Sequence, residues 1–195
     1  MKIIRPKSKQ PIPDHAECVY TGKIFDVYQW QQQMYDGSTE TFEKLKRPDT
    51  VVVFPILDNG TILLTEQEQP GKEPFIGACG GRVDDGEKIL NAAKRELLEE
   101  SGYEASNYIL WKSMHTASKI DHVVYFFIAK GCKKMTNQSL DAGEKIKLKP
   151  VTFDELLQMA RNPKFMEKEI ISDFYEALLD KEKYVELKNL FAPFK

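Results

Sequence analysis

Residues 81–103 of this 195-residue chain read GRVDDGEKILNAAKRELLEESGY, a glycine-containing turn followed by a segment with helical periodicity. The apolar residues that repeat at intervals of four, and so predict a buried helical stripe, are Ile89, Ala93 and Leu97. Gly102 stands where a glycine commonly ends a helix. We therefore predict a helix over about residues 87–101, preceded by a loop.

Three carboxylates crowd one side of this helix, at Glu96, Glu99 and Glu100. Like charges at that spacing repel, but they become favourable when a hard divalent cation bridges them, and carboxylate oxygen is the ligand that Mg²⁺ prefers. Arg95 precedes Glu99 by four residues and could hold a carboxylate through paired hydrogen bonds. A solvated charged face is the commoner explanation of a glutamate-rich helix, so these residues alone leave two interpretations open.

The full spacing resembles a complete Nudix box. It runs Gly81-x5-Glu87-x7-Arg95-Glu96-Leu97-x-Glu99-Glu100-x-Gly102-Tyr103, and its one soft position is Tyr103, where the family usually has an aliphatic residue. The resemblance implies an α/β (α+β) fold, namely a Nudix-type α/β/α sandwich with a mixed sheet. In that fold the box forms a loop, a helix and a second loop.

The resemblance also implies a metal centre for Mg²⁺ or Mn²⁺. Its ligands would be the backbone carbonyl of Gly80 and the carboxylates of Glu96, Glu99 and Glu100. A bound metal ion lowers the pKa of a water molecule, which then attacks phosphorus. The structural support of the box would come from Gly81, Glu87 and Gly102.

The catalytic residues implied by the resemblance are Arg95, which would orient the metal ligands, and a general base. Glu144 resembles a glutamate that ADP-ribose-cleaving relatives place in the loop before the last strand. An exposed acid in a loop explains Glu144 equally well. Glu99 or Glu100 could serve as the base instead.

Similarity outside the box extends to the ADP-ribose and sugar-nucleotide pyrophosphatase branch. It is carried by a β-rich N-terminal unit and by residues 41–51. In that branch the N-terminal strands help to form a homodimer, and each subunit contributes to the other's nucleotide pocket. We therefore expect a homodimer in which Phe25, Tyr28 or Trp30 stacks on a base, unless these rings simply pack in the core or the dimer interface. Arg82 and Lys119 are expected to contact substrate phosphates, although each could equally be a surface cation.

The implied function is a Mg-dependent pyrophosphohydrolase that cleaves a nucleoside diphosphate linked to a sugar or similar group, such as ADP-ribose. The sequence departs from the branch at residues 66–70, 77–81 and 116–121, where its usual arginines, its Glu-Leu-Pro-Ala-Gly segment and its proline are absent. Two alternatives stay open. One is cleavage of a nucleoside triphosphate or a dinucleoside polyphosphate, and the other is a non-catalytic, nucleotide-sensing Nudix domain.

The domain organisation follows from breaks in the apolar pattern. Residues 1–48 are expected to form an N-terminal arm and β-rich dimerisation unit, and residues 49–195 the Nudix domain, with C-terminal helices from about residue 152. Two polar or glycine-rich stretches, residues 66–86 and 131–145, are predicted to be loops. Thr152, with Glu155 three residues later, predicts a capping box.

Composition limits the partners and the location of the protein. A net charge of −2 does not favour nucleic acid, and no apolar run approaches the ~18 residues that cross a bilayer. The start of the chain lacks the apolar stretch of a signal peptide, and three widely spaced cysteines suggest reduced thiols rather than disulfides. We therefore expect a cytoplasmic protein that binds a small-molecule nucleotide, with neither nucleic acid nor a membrane as partner.

Overall fold

A mixed sheet of ten strands forms the centre of the fold in a computed structural model that describes residues 3–194. The strands are β1 (Glu17–Thr21), β2 (Asp26–Gln33), β3 (Thr39–Lys46), β4 (Thr50–Leu57), β5 (Ile62–Gln69), β6 (Lys72–Gly77), β7 (Cys79–Arg82), β8 (Tyr103–Ala117), β9 (Ile120–Lys134) and β10 (Lys145–Val151). The helices are α1 (Ile89–Ser101), α2 (Phe153–Gln158), α3 (Ile171–Leu179) and α4 (Lys181–Leu190).

The strand order is β1-β2-β3-β9-β4-β5-β10, with β6 beside β5, β7 beside β4 and β8 beside β9. Strand β9 runs parallel to β4, whereas most other pairs are antiparallel. The short pairing of β3 with β9 is also parallel and joins the N-terminal strands to the rest of the sheet. The predicted mixed sheet is therefore confirmed.

Apolar side chains point alternately to the two faces of the sheet along the central strands, so the protein has an apolar core on each face. Val51 and Val53 of β4 pack with Leu97 of α1 on one face of the sheet. Phe54 and Ile56 pack on the other face with buried residues of the C-terminal helices. Because side chains alternate along a strand, one buried sheet supports helices on both sides. This arrangement is the predicted three-layer sandwich.

The ends of two helices agree with the sequence. Gly102 ends α1 with φ of 76°, and its N–H donates to the carbonyl of Leu98 at 2.8 Å. A side chain at Gly102 would also collide with the carbonyl oxygen of Thr136, so both space and conformation require glycine. The capping box at the start of α2 is present, because Thr152 and Glu155 exchange hydrogen bonds.

The prediction of a loop over residues 66–86 is wrong. Strand β5 continues to Gln69, and the chain turns at Gly71 into β6 and then β7. Pairing of β6 with β5 and of β7 with β4 supplies backbone hydrogen bonds that do not depend on side-chain propensity. The loop predicted over residues 131–145 is shorter for the same reason, since β9 pairs with β8 as far as Lys134.

The boundary expected between residues 48 and 49 falls between two strands, because β3 ends at Lys46 and β4 begins at Thr50. It stays a prediction. Across residues 3–194, the helices are too short or too polar to cross a membrane.

Candidate active site

An acidic cleft of about 670 Å³ lies over the C-terminal half of α1. Strand β7 supplies Gly80 and Gly81 to one wall, and the loop before β10 supplies Glu144 to another. The acidic cleft therefore brings the Nudix box together with a residue more than forty positions further along the chain. Its charged walls include Arg82, Arg95, Glu96, Glu99, Glu100 and Glu144.

Arg95 is the cation at the centre of the box. Its Nε and Nη2 atoms donate to the two carboxylate oxygens of Glu87 at 3.1 and 2.9 Å. Its Nη1 atom donates to Glu96 at 2.7 Å and to Glu99 at 3.1 Å. These bonds lower the pKa of Glu87, because the guanidinium stabilises its charged form. The paired hydrogen bonds that we expected Arg95 to make thus go to Glu87, with single bonds to the two glutamates on α1.

Glu96 approaches the backbone of β7 so closely that a side chain at position 81 would displace its carboxylate. A Cβ atom on Gly81 would lie 2.5 Å from the Oε1 atom of Glu96. Burial raises the pKa of Glu96, and the hydrogen bond from Arg95 opposes that shift. The support role expected of Gly81 is consistent with this contact.

Glu100 is the most deeply buried carboxylate of the box, with 4% of its surface exposed. One of its oxygens accepts a hydrogen bond from the N–H of Gly80 at 2.8 Å. Burial raises its pKa to about 9, and the charges of Glu96 and Glu144 add to the shift, against the hydrogen bond from Gly80. Within residues 3–194, Glu100 forms no ion pair with Lys, Arg or His.

This donor set fits a divalent cation. Carboxylate and carbonyl oxygens suit Mg²⁺ or Mn²⁺, and a buried carboxylate without a cation is costly unless a positive charge reaches it. In the described part of the chain, no three His, Cys, Asp or Glu side chains already stand at ligand spacing. Arg95 accounts for this, because its Nη1 atom holds both Glu96 and Glu99. Each of these carboxylates keeps one oxygen that Arg95 does not bond, and that oxygen would be the one to bind a metal ion.

Glu144 occupies the loop that connects β9 to β10. Its N–H donates to the carbonyl of Asp141 at 2.9 Å, which closes a turn beside the acidic cleft. Its charge contributes to the raised pKa values of Glu96 and Glu100, so the three carboxylates act on one another. Glu100 is held by the N–H of Gly80, whereas Glu144 is not, so the carboxylate of Glu144 can accept a proton without losing that bond.

Three of the four residues predicted to bind substrate lie outside the acidic cleft. The Lys119 ammonium lies 4.6 Å from the ring centre of Phe42. Tyr28 lines a separate pocket beside the N-terminal arm. Phe25 packs under the guanidinium of Arg47, 5.8 Å from its ring centre. Only Arg82 lines the cleft, where it also pairs with Asp84 at 3.3 Å.

Several residues that line the acidic cleft were not predicted from the sequence, and the most important of them is Arg47. Arg47 lines both the acidic cleft and a second pocket of about 410 Å³, and Gly80 and Gly81 also line both. Its Nε atom is buried and has no hydrogen-bond partner among the described residues. The second pocket, here named the adjoining pocket, also contains His122 and Glu167. Nothing in the local sequence marks these residues, because distant segments bring them together.

Comparisons with known proteins agree with the box. The NUDIX domain family matches residues 46–174. The chain is 26% identical over 149 residues to the ADP-ribose pyrophosphatase of Bacillus subtilis (strain 168), covering 75% of this chain and 80% of that protein. It is 27% identical to the methanol dehydrogenase activator of Bacillus methanolicus, covering 80% and 86%. It is 24% identical to the ADP compounds hydrolase NudE of Escherichia coli (strain K12), covering 86% and 91%.

The fold also resembles that of a solved structure. The crystal structure of an ADP compounds hydrolase superposes with a TM-score of 0.69 over 87% of this chain and 93% of that one, at 22% identity. This similarity supports the assignment of the fold as an α/β/α sandwich with a mixed sheet. Since the family match spans about two thirds of the sequence and contains the whole box, this chain belongs to the Nudix hydrolase family.

Proposed function

We propose that this chain is a divalent-metal-dependent pyrophosphohydrolase acting on ADP linked to a sugar or a similar group, such as ADP-ribose. The observation that carries the proposal is Glu100, a buried carboxylate with no cationic partner in the described residues, held against Gly80 in the acidic cleft. The names of two relatives, an ADP-ribose pyrophosphatase and an ADP compounds hydrolase, support the choice of substrate class.

We assign the metal site to Glu96, Glu99, Glu100 and the carbonyl oxygen of Gly80, with Mg²⁺ or Mn²⁺ as the ion. When bound, the ion neutralises diphosphate charge and makes a water molecule more acidic. Arg95 fixes the directions of the glutamates before the metal binds, in the way that partners of metal ligands commonly do.

The protein's own residues supply the remaining steps. Glu144 is our candidate to accept a proton from the attacking water, with Glu99 or Glu100 as the alternative. The water oxygen forms a bond to one phosphorus, the bond from that phosphorus to the bridging oxygen breaks, and two phosphomonoesters result. Arg47 and Arg82 line the cleft where the anionic diphosphate would lie, so they replace Lys119 as candidate phosphate contacts.

We propose that the protein forms a homodimer through its N-terminal strands. All five residues of β1 are exposed, and Tyr20 is 61% exposed although it is large and apolar. Ile24 from the same unit also lines the acidic cleft, so a partner seated there would border the site. Sedimentation equilibrium tests this: Val19→Glu combined with Tyr20→Glu should give a monomer, whereas a wild-type monomer would contradict the proposal.

A cytoplasmic location is part of the same proposal. It is supported by the three cysteines, which are all free thiols, two of them buried. The overall charge of −2 does not favour binding to a polyanion, so we propose a small nucleotide rather than nucleic acid as the partner.

A nucleotide panel tests the proposed activity. Purified protein is incubated with Mg²⁺ and ADP-ribose, ADP-glucose, ATP or diadenosine tetraphosphate, and the products are identified by mass spectrometry. AMP with a sugar phosphate is the expected outcome. Pyrophosphate from ATP alone would favour the nucleoside triphosphate alternative, and binding without any product would favour a sensor.

A further inference from the structure

Glu167 is a buried carboxylate that the proposed chemistry does not use. It lies in the segment between α2 and α3 and lines the adjoining pocket, with 8% of its surface exposed. Arg47 and Arg82 line both this pocket and the acidic cleft. A molecule with its diphosphate beside these arginines would therefore extend from the acidic cleft towards Glu167.

The two oxygens of Glu167 have different surroundings. Oε1 accepts a hydrogen bond from the N–H of Ala78 at 2.9 Å. Oε2 is buried and has no hydrogen-bond partner among the described residues. An unpaired buried acceptor costs about 1–3 kcal/mol, so each one needs an explanation, and a donor group on a bound ligand is one that the lining of this pocket allows.

The backbone holds this carboxylate in place. The N–H of Met166 donates to the carbonyl of Ile76 at 2.9 Å, and the N–H of Ile76 donates to the carbonyl of Lys164 at 2.9 Å. Gly77 leaves the space for the side chain, since a Cβ atom there would lie 2.9 Å from Oε1 of Glu167. The orientation is thus fixed before any ligand arrives, as specific recognition requires.

An ionised carboxylate oxygen can only accept hydrogen bonds, which restricts the ligand group it can bind. Above about pH 7, where Glu167 is ionised, the anionic oxygens of the substrate phosphates are therefore excluded as partners. The donors nearest to the diphosphate in a nucleoside diphosphate sugar are the hydroxyls of its two sugars, the nucleoside ribose on one side and the second sugar on the other. A site built to bond a hydroxyl discriminates strongly against analogues that lack it.

We propose that Glu167 is a specificity-determining residue whose Oε2 atom accepts a hydrogen bond from a hydroxyl of the sugar beyond the diphosphate. This inference rests on the proposed function and narrows it to substrates in which that sugar is present. Oε1 has the separate task of holding Ala78, two residues before the proposed metal ligand Gly80.

Glu167→Gln separates the two tasks. The amide oxygen can still accept from Ala78, but an amide nitrogen in place of Oε2 donates and cannot accept. Burial raises the pKa of Glu167 to about 7, so assays are run at about pH 8.5, where the carboxyl is ionised. The matched control is Glu176→Gln, the same change at an exposed site on α3.

Three substrates locate the donor: ADP-ribose, inosine diphosphate ribose, which lacks the adenine amino group, and the ethyl ester of ADP, which lacks the second sugar. For Glu167→Gln we expect kcat/KM to fall about 10–100-fold with both ribose compounds, mainly through KM. The ethyl ester should be cleaved equally by variant and parent, and Mn²⁺ affinity should be unchanged.

Other outcomes overturn the inference. Equal losses on all three substrates would contradict the inference, because all three keep the nucleoside ribose: Glu167 would then bond that ribose or act only as a positioning residue. A loss confined to ADP-ribose would assign the donor to adenine. No loss on any substrate would remove Glu167 from recognition while leaving the proposed function intact. If the parent cleaves none of them, the proposed function fails, and calorimetric binding of ADP-ribose decides the inference: binding that is equal in both proteins, or absent from both, contradicts it.

Discussion

The N–H of Gly80 donates to the carboxylate of Glu100 across 2.8 Å, and this bond ties strand β7 to the last turn of α1. The two residues are twenty positions apart in the chain. Because the same glycine offers its carbonyl as a proposed metal ligand, the bond sets the separation of two ligands before a metal arrives. Gln138 also holds Glu100 in place, because its side-chain amide donates to the backbone carbonyl of Glu100 at 2.5 Å.

Replacing Glu100 tests the metal site. Glu100→Gln keeps an acceptor for Gly80 but removes the charge, so we expect turnover to fall about 100-fold or more and Mn²⁺ binding to weaken. Without metal, thermal unfolding near neutral pH should occur at a higher temperature than in the parent, because burial raises the pKa of Glu100 and this costs the folded state stability above the ordinary carboxyl pKa, a cost that an amide avoids. Calorimetry and activity assays measure these effects, with Glu104→Gln at an exposed site as the control. Undiminished turnover would remove Glu100 from the site.

Replacing Glu144 tests whether this residue is the general base. Glu144→Gln should lower kcat about 100- to 10,000-fold, which is the usual contribution of a general base, while Mn²⁺ affinity changes little. Single-turnover rates and Mn²⁺ titrations separate the two quantities. A near-normal rate would return the base to Glu99 or Glu100, and an equal loss of metal affinity would make Glu144 a ligand instead.

Arg95 is expected to act through geometry rather than charge alone. Arg95→Lys keeps the positive charge, but a single ammonium cannot reproduce the fork that bonds Glu87, Glu96 and Glu99 together. We expect a drop in kcat/KM of about tenfold or more and a lower melting temperature. The comparison variant is Arg161→Lys, at an exposed position beyond α2. Full activity with lysine would show that charge alone suffices.

The sequence was most informative where function depends on one continuous segment. Glu96, Glu99 and Glu100 share a helix with Arg95, so helical spacing alone predicted that the three carboxylates lie on one side of it. The end of α1 at Gly102 was predicted from a local glycine, whereas the sandwich was predicted from the resemblance to the Nudix family. Strands β6 and β7 were missed, because partners elsewhere in the sheet specify them and their own residues are turn-like.

Contacts with the substrate depend on packing between segments far apart in the chain, so the local sequence carries little information about them. Lys119 and Tyr28 lie outside the acidic cleft of this chain, and their contacts with substrate stay predictions. Arg47 and Glu167 come together in the adjoining pocket from distant positions in the sequence. Their buried unpaired atoms are properties of the folded structure and leave no local sequence pattern.

The pH dependence of stability provides an independent test of Glu167. Its pKa is about 7 in the folded protein, above the ordinary value of 4.5, so the folded state holds the proton more tightly. Between those two values the folded state binds more protons than the unfolded state, and stability falls as pH rises. Glu167→Gln removes this loss and should gain on the order of 2–3 kcal/mol over the parent at about pH 8, but little at about pH 4.5. Denaturant unfolding at both pH values measures the gain, and a gain independent of pH would contradict the assignment.

The proposed metal-dependent hydrolysis is tested by product analysis of ADP-ribose incubated with the wild-type protein and Mg²⁺ in ¹⁸O-labelled water. We predict AMP and ribose 5-phosphate in equal amounts, with the label in one of them, and no product when a chelator removes the metal. Glu100→Gln should yield neither compound at a comparable rate. Intact ADP-ribose after prolonged incubation, or a rate unchanged by chelator and by Glu100→Gln alike, would contradict the proposed function.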